Sequence, residues 1–500
     1  MSASTNAPRK TFLIFGNQLF DAGHLRRHGC DRVLMVEDEA FCRRYTYHRQ
    51  KLAFILSAMR SHADGLREAG FTVIYHRLEE GMDWRRALTD LAALGCRRLG
   101  HFEVENAHLS GAIAAHAAHL SMDLEVVRTP MFINTLDDFQ NHLDEQGSPK
   151  LLPYYRQQRL QHDILMTADR QPVGGRWSFD MDNREKLPRD ITPEDPDLPT
   201  ETGHTTDVKA LVKARFDTHP GKLERLWMPT THAQASDWLD AFLEQRFANF
   251  GPYEDALTRR SRFVFHSGLS PLLNVGLLTP QQVLDRALRF GASHNVPLNS
   301  LEGLVRQILG WREFVRGIYH HYCEPLTTRN IWNGDRRLTQ DWYRGTTGIA
   351  PLDHVIRKTL DLGWAHHIER LMLAANLMNL SGISPQEVYR WFMEMFVDAY
   401  DWVMVPNVFG MGLTSDGGIF TTKPYICGSN YVLKMGDFKR GEWCDVMDGL
   451  LWRFVACHEA KLKVNQRLAP MVANLPRVAR RRPEIFSLAD DFIESKTRAA

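Results

Sequence analysis

No stretch of about 18 consecutive apolar residues occurs in this sequence, so no membrane span is expected. The first residues, MSASTNAPRKTFLIFGNQ, hold no apolar run with a small-residue cleavage site, and no signal peptide is expected. Cysteine is sparse. Seven occur singly at 30, 42, 96, 323, 427, 444 and 457, with no CxxC pair, and the expectation is reduced thiols in a cytoplasmic protein. The late trio Cys427, Cys444 and Cys457 matches no zinc spacing. No repeat with a period of 20–50 residues is visible. Charge of one sign is missing too: 61 Lys and Arg against 60 Asp and Glu give a net +1. Any nucleic-acid contact must then come from local clusters of cations, not from a global field.

What is present divides unevenly. The first third alternates β-rich runs at 11–16, 32–37, 71–77, 97–104 and 124–130 with helical patterns such as YHRQKLAFILSAMRSHADGLREAG. Strand–helix alternation of this kind predicts an α/β domain with a Rossmann-like parallel sheet over 1–140. Ligands of such sheets sit beyond the carboxyl ends of the strands, where FGNQLFDAGHL falls. That stretch is neither GxGxxG nor a P-loop, so it supports no dinucleotide or triphosphate site. Residues 141–235, rich in Pro, Asp, Thr and Gly, read as a connection between domains. Helical patterns then run through an all-α domain over 236–478, and TPQQ and SPQE make good helix starts. Residues 479–500, opening on a basic run, read as a solvated tail. At 500 residues, two domains and a linker are the expected organisation.

Three stretches carry chemistry. In GWAHHIERLM, read as part of one helix beginning near 352, His366 and His367 lie four and three residues before Arg370, so all three share one patch of surface. Taken alone, a histidine pair is more often structural than catalytic. A guanidinium beside two imidazoles disfavours their charged forms and calls for an anion, for which Asp398 is the candidate. In FVFHSGLSPLLNVGLL, Ser267 and Ser270 sit at a helix start, where free N–H groups can hold a phosphate or a serine can simply cap. In GIFTTKPYICGSNYVLKMGDFKRGEW, Tyr425 and Tyr431 are interleaved with Lys423, Lys434, Lys439 and Arg440. That is the mixture a single strand or an unstacked base would meet, and equally a solvated basic loop with tyrosines in the core.

SGLSPLLNVGLL, EGLVRQILGWREFVRGIY, GWAHHIERLM and DAYDWVMVPNVFGM, in that order behind an α/β half, resemble the photolyase/cryptochrome family. FGNQL, QKLAFILSAMR, PVGGRWSFDMDNR and TTKPYICGSNYVLKMGDF point to its bacterial iron–sulfur branch, many members of which repair (6-4) photoproducts. The resemblance spans about 11–460. It implies FAD in the helical domain, touched by Tyr253, Ser267, Leu269, Ser270, Gln307, Arg312 and the Arg370–Asp398 pair. It also implies His367 against the lesion with His366 in support, and Arg184, Trp311, Tyr425 and Tyr431 toward UV-damaged DNA. Trp391 is implied in electron transfer, and a lumazine-type antenna at Asn17, Gln18, Glu37 and Leu52. A lesion inside a duplex must be flipped out to reach a buried flavin; photolyases are among the standard cases of that rule.

The chain departs from the branch in ways that set further expectations. TTGIAPLDH and KRGEW lack the cysteines that hold the branch's [4Fe-4S] cluster, with only Cys444 in a matching place, so no cluster is expected. Met404 stands where a carboxylate faces flavin N5. Phe392 and Tyr343 stand where relatives have Tyr and Trp. The resemblance thus implies a monomeric, light-driven, FAD-dependent (6-4) photolyase. The alternatives are a cryptochrome-like photoreceptor and, further off, a light-independent nucleic-acid-binding protein.

Overall fold

The computed structural model describes residues 10–421 and 424–499 and forms two compact units; Lys423 lies outside the described residues. The first unit is built on a parallel five-stranded sheet. Its strands are β1 (Thr11–Ile14), β2 (Arg32–Val36), β3 (Thr72–His76), β4 (Arg98–Phe102) and β5 (Asp123–Val127), in the order β3-β2-β1-β4-β5. Every residue of the central strand β1 is buried, as expected of a parallel strand covered on both faces. Leu13, Leu34, Trp84, Leu88, Leu99 and Ile113 fill the core between the sheet and the helices Trp84–Ala93 and Ala107–His119. The predicted strands are all present. All five stop one to three residues earlier than expected, where the chain turns out of the sheet at its carboxyl edge.

The domain boundaries need correction. The first unit comprises 1–133, 197–241 and 268–286, and the second comprises 134–196, 242–267 and 287–500. The stretch read as a connection over 141–235 is therefore shared out. Its later half joins the first unit through polar ties. Arg49 Nε donates to the Gly221 carbonyl at 2.7 Å, His204 meets Asp64 at 2.6 Å, and Arg215 pairs with Glu39 at 2.8 Å. The solvated tail is likewise corrected. Residues Glu484–Lys496 form a helix that buries Ile485, Ala489, Phe492 and Ile493, one apolar stripe, against the helix Trp443–Cys457. Thr497–Arg498 then pairs antiparallel with Arg337–Leu338, and the Lys496 carbonyl accepts from Trp342 Nε1 at 2.8 Å.

The single helix read through the histidine pair is two. Ala350–Leu362 ends at Gly363, whose left-handed backbone (φ 61°) costs glycine little and donates its N–H to the Thr359 carbonyl at 2.6 Å. His366 sits just before the next helix, and His367 is in its first turn. In the second unit three helices widen into π-helical turns, at Arg306–Arg312, Glu369–Ala375 and Pro406–Gly412. Such turns carry a hydrogen-bonding cost and cluster at functional sites. These hold Gln307, Trp311, Arg312 and Arg370.

Candidate functional site

The helix start at His366 explains how a histidine pair survives in apolar surroundings. The His366 backbone N–H donates to Glu369 Oε2 at 3.1 Å, which caps the turn. The same carboxylate pairs with Lys358, so both buried charges are satisfied. One turn on, Arg370 Nη1 and Nη2 donate to the two oxygens of Asp398 at 2.8 and 3.0 Å, and its Nε donates to the Ala365 carbonyl at 2.6 Å. Its guanidinium also lies 4.0 Å from the Phe396 ring centroid. The anion that Arg370 called for is thus Asp398, in the bidentate geometry arginine favours.

The imidazoles divide the work. Burial, then the positive charges of Lys358 and Arg370 together with neighbouring His367, hold His366 well below its ordinary pKa of 6.5. A third ring, His266, stacks on it with centroids 4.7 Å apart and planes 14° from parallel. Burial and the two neighbouring histidines keep His266 well below 6.5 as well. His367 is the exposed ring of the three, its side chain 48% accessible; partial desolvation pulls its pKa downward, but Asp255, which meets Nε2 at 3.2 Å, outweighs it and the pKa rises. The cluster therefore holds two neutral rings beside one that favours its proton. Both nitrogens of His366 and Nε2 of His266 are buried without a hydrogen-bond partner.

Asp255 links this cluster to the residues assigned to DNA. Asp255 and Arg184 are electrostatic neighbours of both Tyr425 and Tyr431, whose phenols burial pushes upward. Arg184 itself is exposed and paired with Asp180. Asp180 also pairs with Arg306 at 3.1 Å, and Arg306 lies 3.7 Å from Glu254. Glu254 accepts from Gln307 at 2.6 Å and from Asn183 at 3.1 Å. His366, His367, Arg370, Asp398, Gln307, Arg184, Tyr425 and Tyr431 thus belong to one neighbourhood. Sequence reasoning missed His266, Asp255, Glu254, Lys358 and Glu369. The only signals were FVFHSG and the acidic pair after Tyr253, and neither spacing points at the histidines.

Other assigned residues adjoin this network: Tyr253 precedes Glu254, Trp311 and Arg312 share the π-turn of Gln307, and Trp391 meets Phe396, the ring beside Arg370. Tyr253 packs on Phe265 with centroids 5.6 Å apart, and Arg312 lies over Trp402 at 4.8 Å. Trp311 meets Phe314 and Phe420, and Met404 is buried on the helix Asp401–Val405. Ser267 belongs to the second unit, whereas Leu269 and Ser270 belong to the first. There Leu269 stands at the N-cap of the helix Ser270–Val275 and supplies no side-chain cap. Trp391 is fully buried; its Nε1 donates to the Trp342 carbonyl at 3.0 Å, and its ring lies 5.6 Å from Phe396. Tyr343 donates to Glu394 at 2.9 Å.

The antenna set fits its group only in part. Gln18 donates to the carbonyls of Phe102 and Glu103, at the carboxyl end of β4, and leaves its buried Oε1 without a partner. Asn17 beside it is half-buried, and Leu52 is buried on the helix Arg49–Glu68. Glu37 fits worst. Both its oxygens are taken, by Arg60 at 2.6 and 2.9 Å, by Tyr75 at 2.7 Å and by the Leu78 N–H at 2.8 Å. A chromophore at Glu37 would have to displace one of these bonds.

Among the described residues, the group of three or more potential metal ligands that comes together is the three histidines, with no cysteine among them. Cys427 and Cys444 are buried, and Cys457 is exposed on its helix. The TTGI turn is instead tied by Asp353, which accepts from the Thr347 N–H and hydroxyl at 2.7 Å each and from the Gly348 N–H at 3.0 Å.

Comparison with known proteins agrees with this architecture. Residues 12–227 match the family described as deoxyribodipyrimidine photo-lyase-related protein, and residues 305–432 match the FAD binding domain of DNA photolyase. A (6-4) photolyase of Agrobacterium fabrum is 33% identical over 467 residues, 90% of this chain and 91% of that one. A deoxyribodipyrimidine photo-lyase of Escherichia coli is 32% identical over 146 residues, 26% of this chain and 29% of that one. In fold, a bacterial class III photolyase from Agrobacterium tumefaciens has a TM-score of 0.58 at 18% identity, covering 94% of this chain and 91% of its own. A Synechocystis cryptochrome gives 0.58 at 15% identity, covering 95% and 92%. The chain thus combines an α/β unit built on a parallel sheet with a helical unit that carries the match to a photolyase FAD binding domain. The chain belongs to the photolyase/cryptochrome family, and in sequence it is similar over 90% of its length to a (6-4) photolyase.

Proposed function

We propose that this protein is a light-driven, FAD-dependent DNA repair enzyme acting on (6-4) photoproducts. One observation carries the reading: His367, held on Asp255 with a raised pKa, stands beside two neutral histidines and one turn from the Arg370–Asp398 pair. An acid, a polar pocket and a cofactor-facing ion pair are then within one neighbourhood, as proton-coupled repair of a lesion needs.

FAD, when bound and reduced, supplies one electron on excitation by blue light. The protein's own groups do the rest. The Arg370–Asp398 pair and Gln307 are fixed by their own hydrogen bonds and offer a rigid polar edge to the isoalloxazine. Arg312, Tyr253, Ser267 and Met404 complete the flavin contacts that the second unit offers in this reading. A methionine near flavin N5 offers no carboxylate there. With Nε2 engaged by Asp255, the proton of His367 that moves to the lesion is the one on Nδ1. His366 stays neutral and accepts or donates a hydrogen bond without competing for that proton. Trp311, Tyr425 and Tyr431 supply aromatic faces to the flipped dinucleotide, and Arg184 supplies charge to the backbone. Trp391, beside Phe396, serves electron supply. A lumazine-type antenna on Gln18 and Asn17 belongs to the same reading. An iron–sulfur cluster does not, and iron and sulfide in stoichiometric amounts in purified protein would overturn that exclusion.

The test is repair of defined oligonucleotides, one set carrying a (6-4) photoproduct and the other a cyclobutane dimer, with reduced, FAD-loaded protein in light and in darkness. Light-dependent loss of the (6-4) lesion alone is expected. His367→Ala should slow it by about 10²–10⁴-fold while flavin stays bound. No repair of either lesion, with flavin bound and photoreducible, would move the assignment to a photoreceptor.

A further inference from the structure

The three histidines have a property that the repair reading does not use. Their nearest ring nitrogens all lie within 4.8 Å of one another. His266 and His366 are more than nine-tenths buried, and Nε2 of the first and both nitrogens of the second have no hydrogen-bond partner. His366 Nε2 stands 3.5 Å from Glu369 Oε2, outside hydrogen-bond geometry, and desolvated imidazole nitrogens without a hydrogen bond are costly to keep. We infer that His266, His366 and His367 form a binding site for one borderline divalent transition metal of the zinc or cobalt(II) kind.

The geometry is close to what such an ion needs. Metal–nitrogen bonds of about 2.0–2.1 Å in a tetrahedral site put ligand nitrogens about 3.4 Å apart, so the rings must close in and His266 and His366 must turn out of their stack to point at one ion. An all-imidazole set selects zinc, cobalt, nickel or copper over magnesium and calcium, which want oxygen. Asp255 holds Nε2 of His367, which leaves Nδ1 to coordinate; a carboxylate behind a ligating histidine is the usual support of such sites. The neighbouring cations do not oppose the ion unchecked: Lys358 is paired with Glu369, Arg370 with Asp398, and Arg306 with Asp180 and Glu254. Val264, two residues before His266, is held at a φ of 55°, which a β-branched residue seldom adopts, and His266 is presented from this strained turn. Three protein ligands leave the fourth position to water.

This site does not depend on flavin or on repair. Where the repair reading holds, a metal on Nδ1 of His367 takes the place of the proton that the reaction moves, so zinc inhibits.

The experiment uses full-length, chelator-treated protein. Cobalt(II) is titrated in and followed by its visible ligand-field absorption, and zinc is titrated by calorimetry. One equivalent is expected to bind with the intense spectrum of a tetrahedral site. His266→Gln is expected to lose that equivalent, whereas His294→Gln, at an exposed position, keeps it. Asp255→Asn should weaken binding by about 10–100-fold. His266→Cys should keep cobalt and add a thiolate-to-cobalt charge-transfer band, which reports on the site even if the glutamine variant folds poorly. Absence of a one-equivalent spectrum in the wild type, its persistence in His266→Gln, or no thiolate band in a folded His266→Cys would each overturn the assignment. All three can be read whether or not any lesion is repaired.

Discussion

Both units bury histidines, and they do so for different ends. In the first unit His62, on the helix Arg49–Glu68, lies 5.6 Å from His232, whose Nδ1 bonds the Leu277 carbonyl at 3.1 Å. Burial, with a small contribution from His232, drives His62 down to about 3. In the second unit His366 and His266 are also buried and also held well below 6.5, yet Lys358, Glu369, Arg370, Asp255 and Asp398 surround them. Burial and a displaced pKa are common to both clusters, so neither marks a site. Paired charges, a proton-holding third ring and a π-turn one residue away distinguish the second. The first has two imidazoles, short of a ligand set, and reads as core.

The largest effect expected is on the ion pair that only the second cluster has. Asp398→Ala leaves Arg370 half-buried and unpaired, and should cost about 3–5 kcal/mol in denaturant unfolding together with flavin retention. No substitution at His62 should approach that. The next test uses acid. A histidine whose folded pKa lies below its unfolded value of 6.5 takes up a proton more readily when unfolded, so its stabilising effect is complete above pH 6.5 and is lost as the pH falls below it. Each such residue adds a slope of up to about 1.4 kcal/mol per pH unit in that window. His62→Leu and His366→Leu should each remove one such slope from unfolding curves measured between pH 6.5 and 5. Only the second should impair repair, and equal impairment would erase the contrast. His367, with its raised pKa, runs the other way: its stabilisation is complete below 6.5 and is lost as pH rises through its folded pKa. Asp353→Ala, which unties the TTGI turn, should cost about 1–3 kcal/mol without changing flavin content. The smallest effect on stability belongs to the exposed Arg184–Asp180 pair, within about 0.5 kcal/mol by thermal melts. Arg184→Ala should nevertheless weaken DNA binding and lower the salt slope of log K by about 1.

The sheet was legible because buried parallel strands are written as short apolar runs between helical patterns, and nothing else in the chain looks like TFLI or RVLMV. The helices of the second unit were legible as helices, but their π-turns were not. One widened turn leaves the apolar spacing of LEGLVRQILGWREF almost unchanged. The break at Gly363 had a glycine to announce it and was overlooked because the apolar stripe seemed to continue. Arg370 and Asp398 were found together because an arginine beside histidines demands an anion. Asp255 and His266 were not, because they come from distant turns, and only the fold brings them to His367. The tail was misread because a basic run suggests solvent, whereas Ile485, Ala489, Phe492 and Ile493 carried the helical stripe in plain view.

The first unit is woven from three separate stretches of chain, the last of which ends at residue 286. On the ribosome, then, the sheet can form early, but the unit that contains it stays open until residues 268–286 have been made. The stretch 134–196, destined for the second unit, emerges meanwhile with its partners still unmade. Assembly of this protein is thus a problem of waiting: its exposed apolar surfaces need shelter during synthesis, and a fragment cut after the sheet, near residue 140, should come off the ribosome aggregation-prone instead of as an autonomous domain.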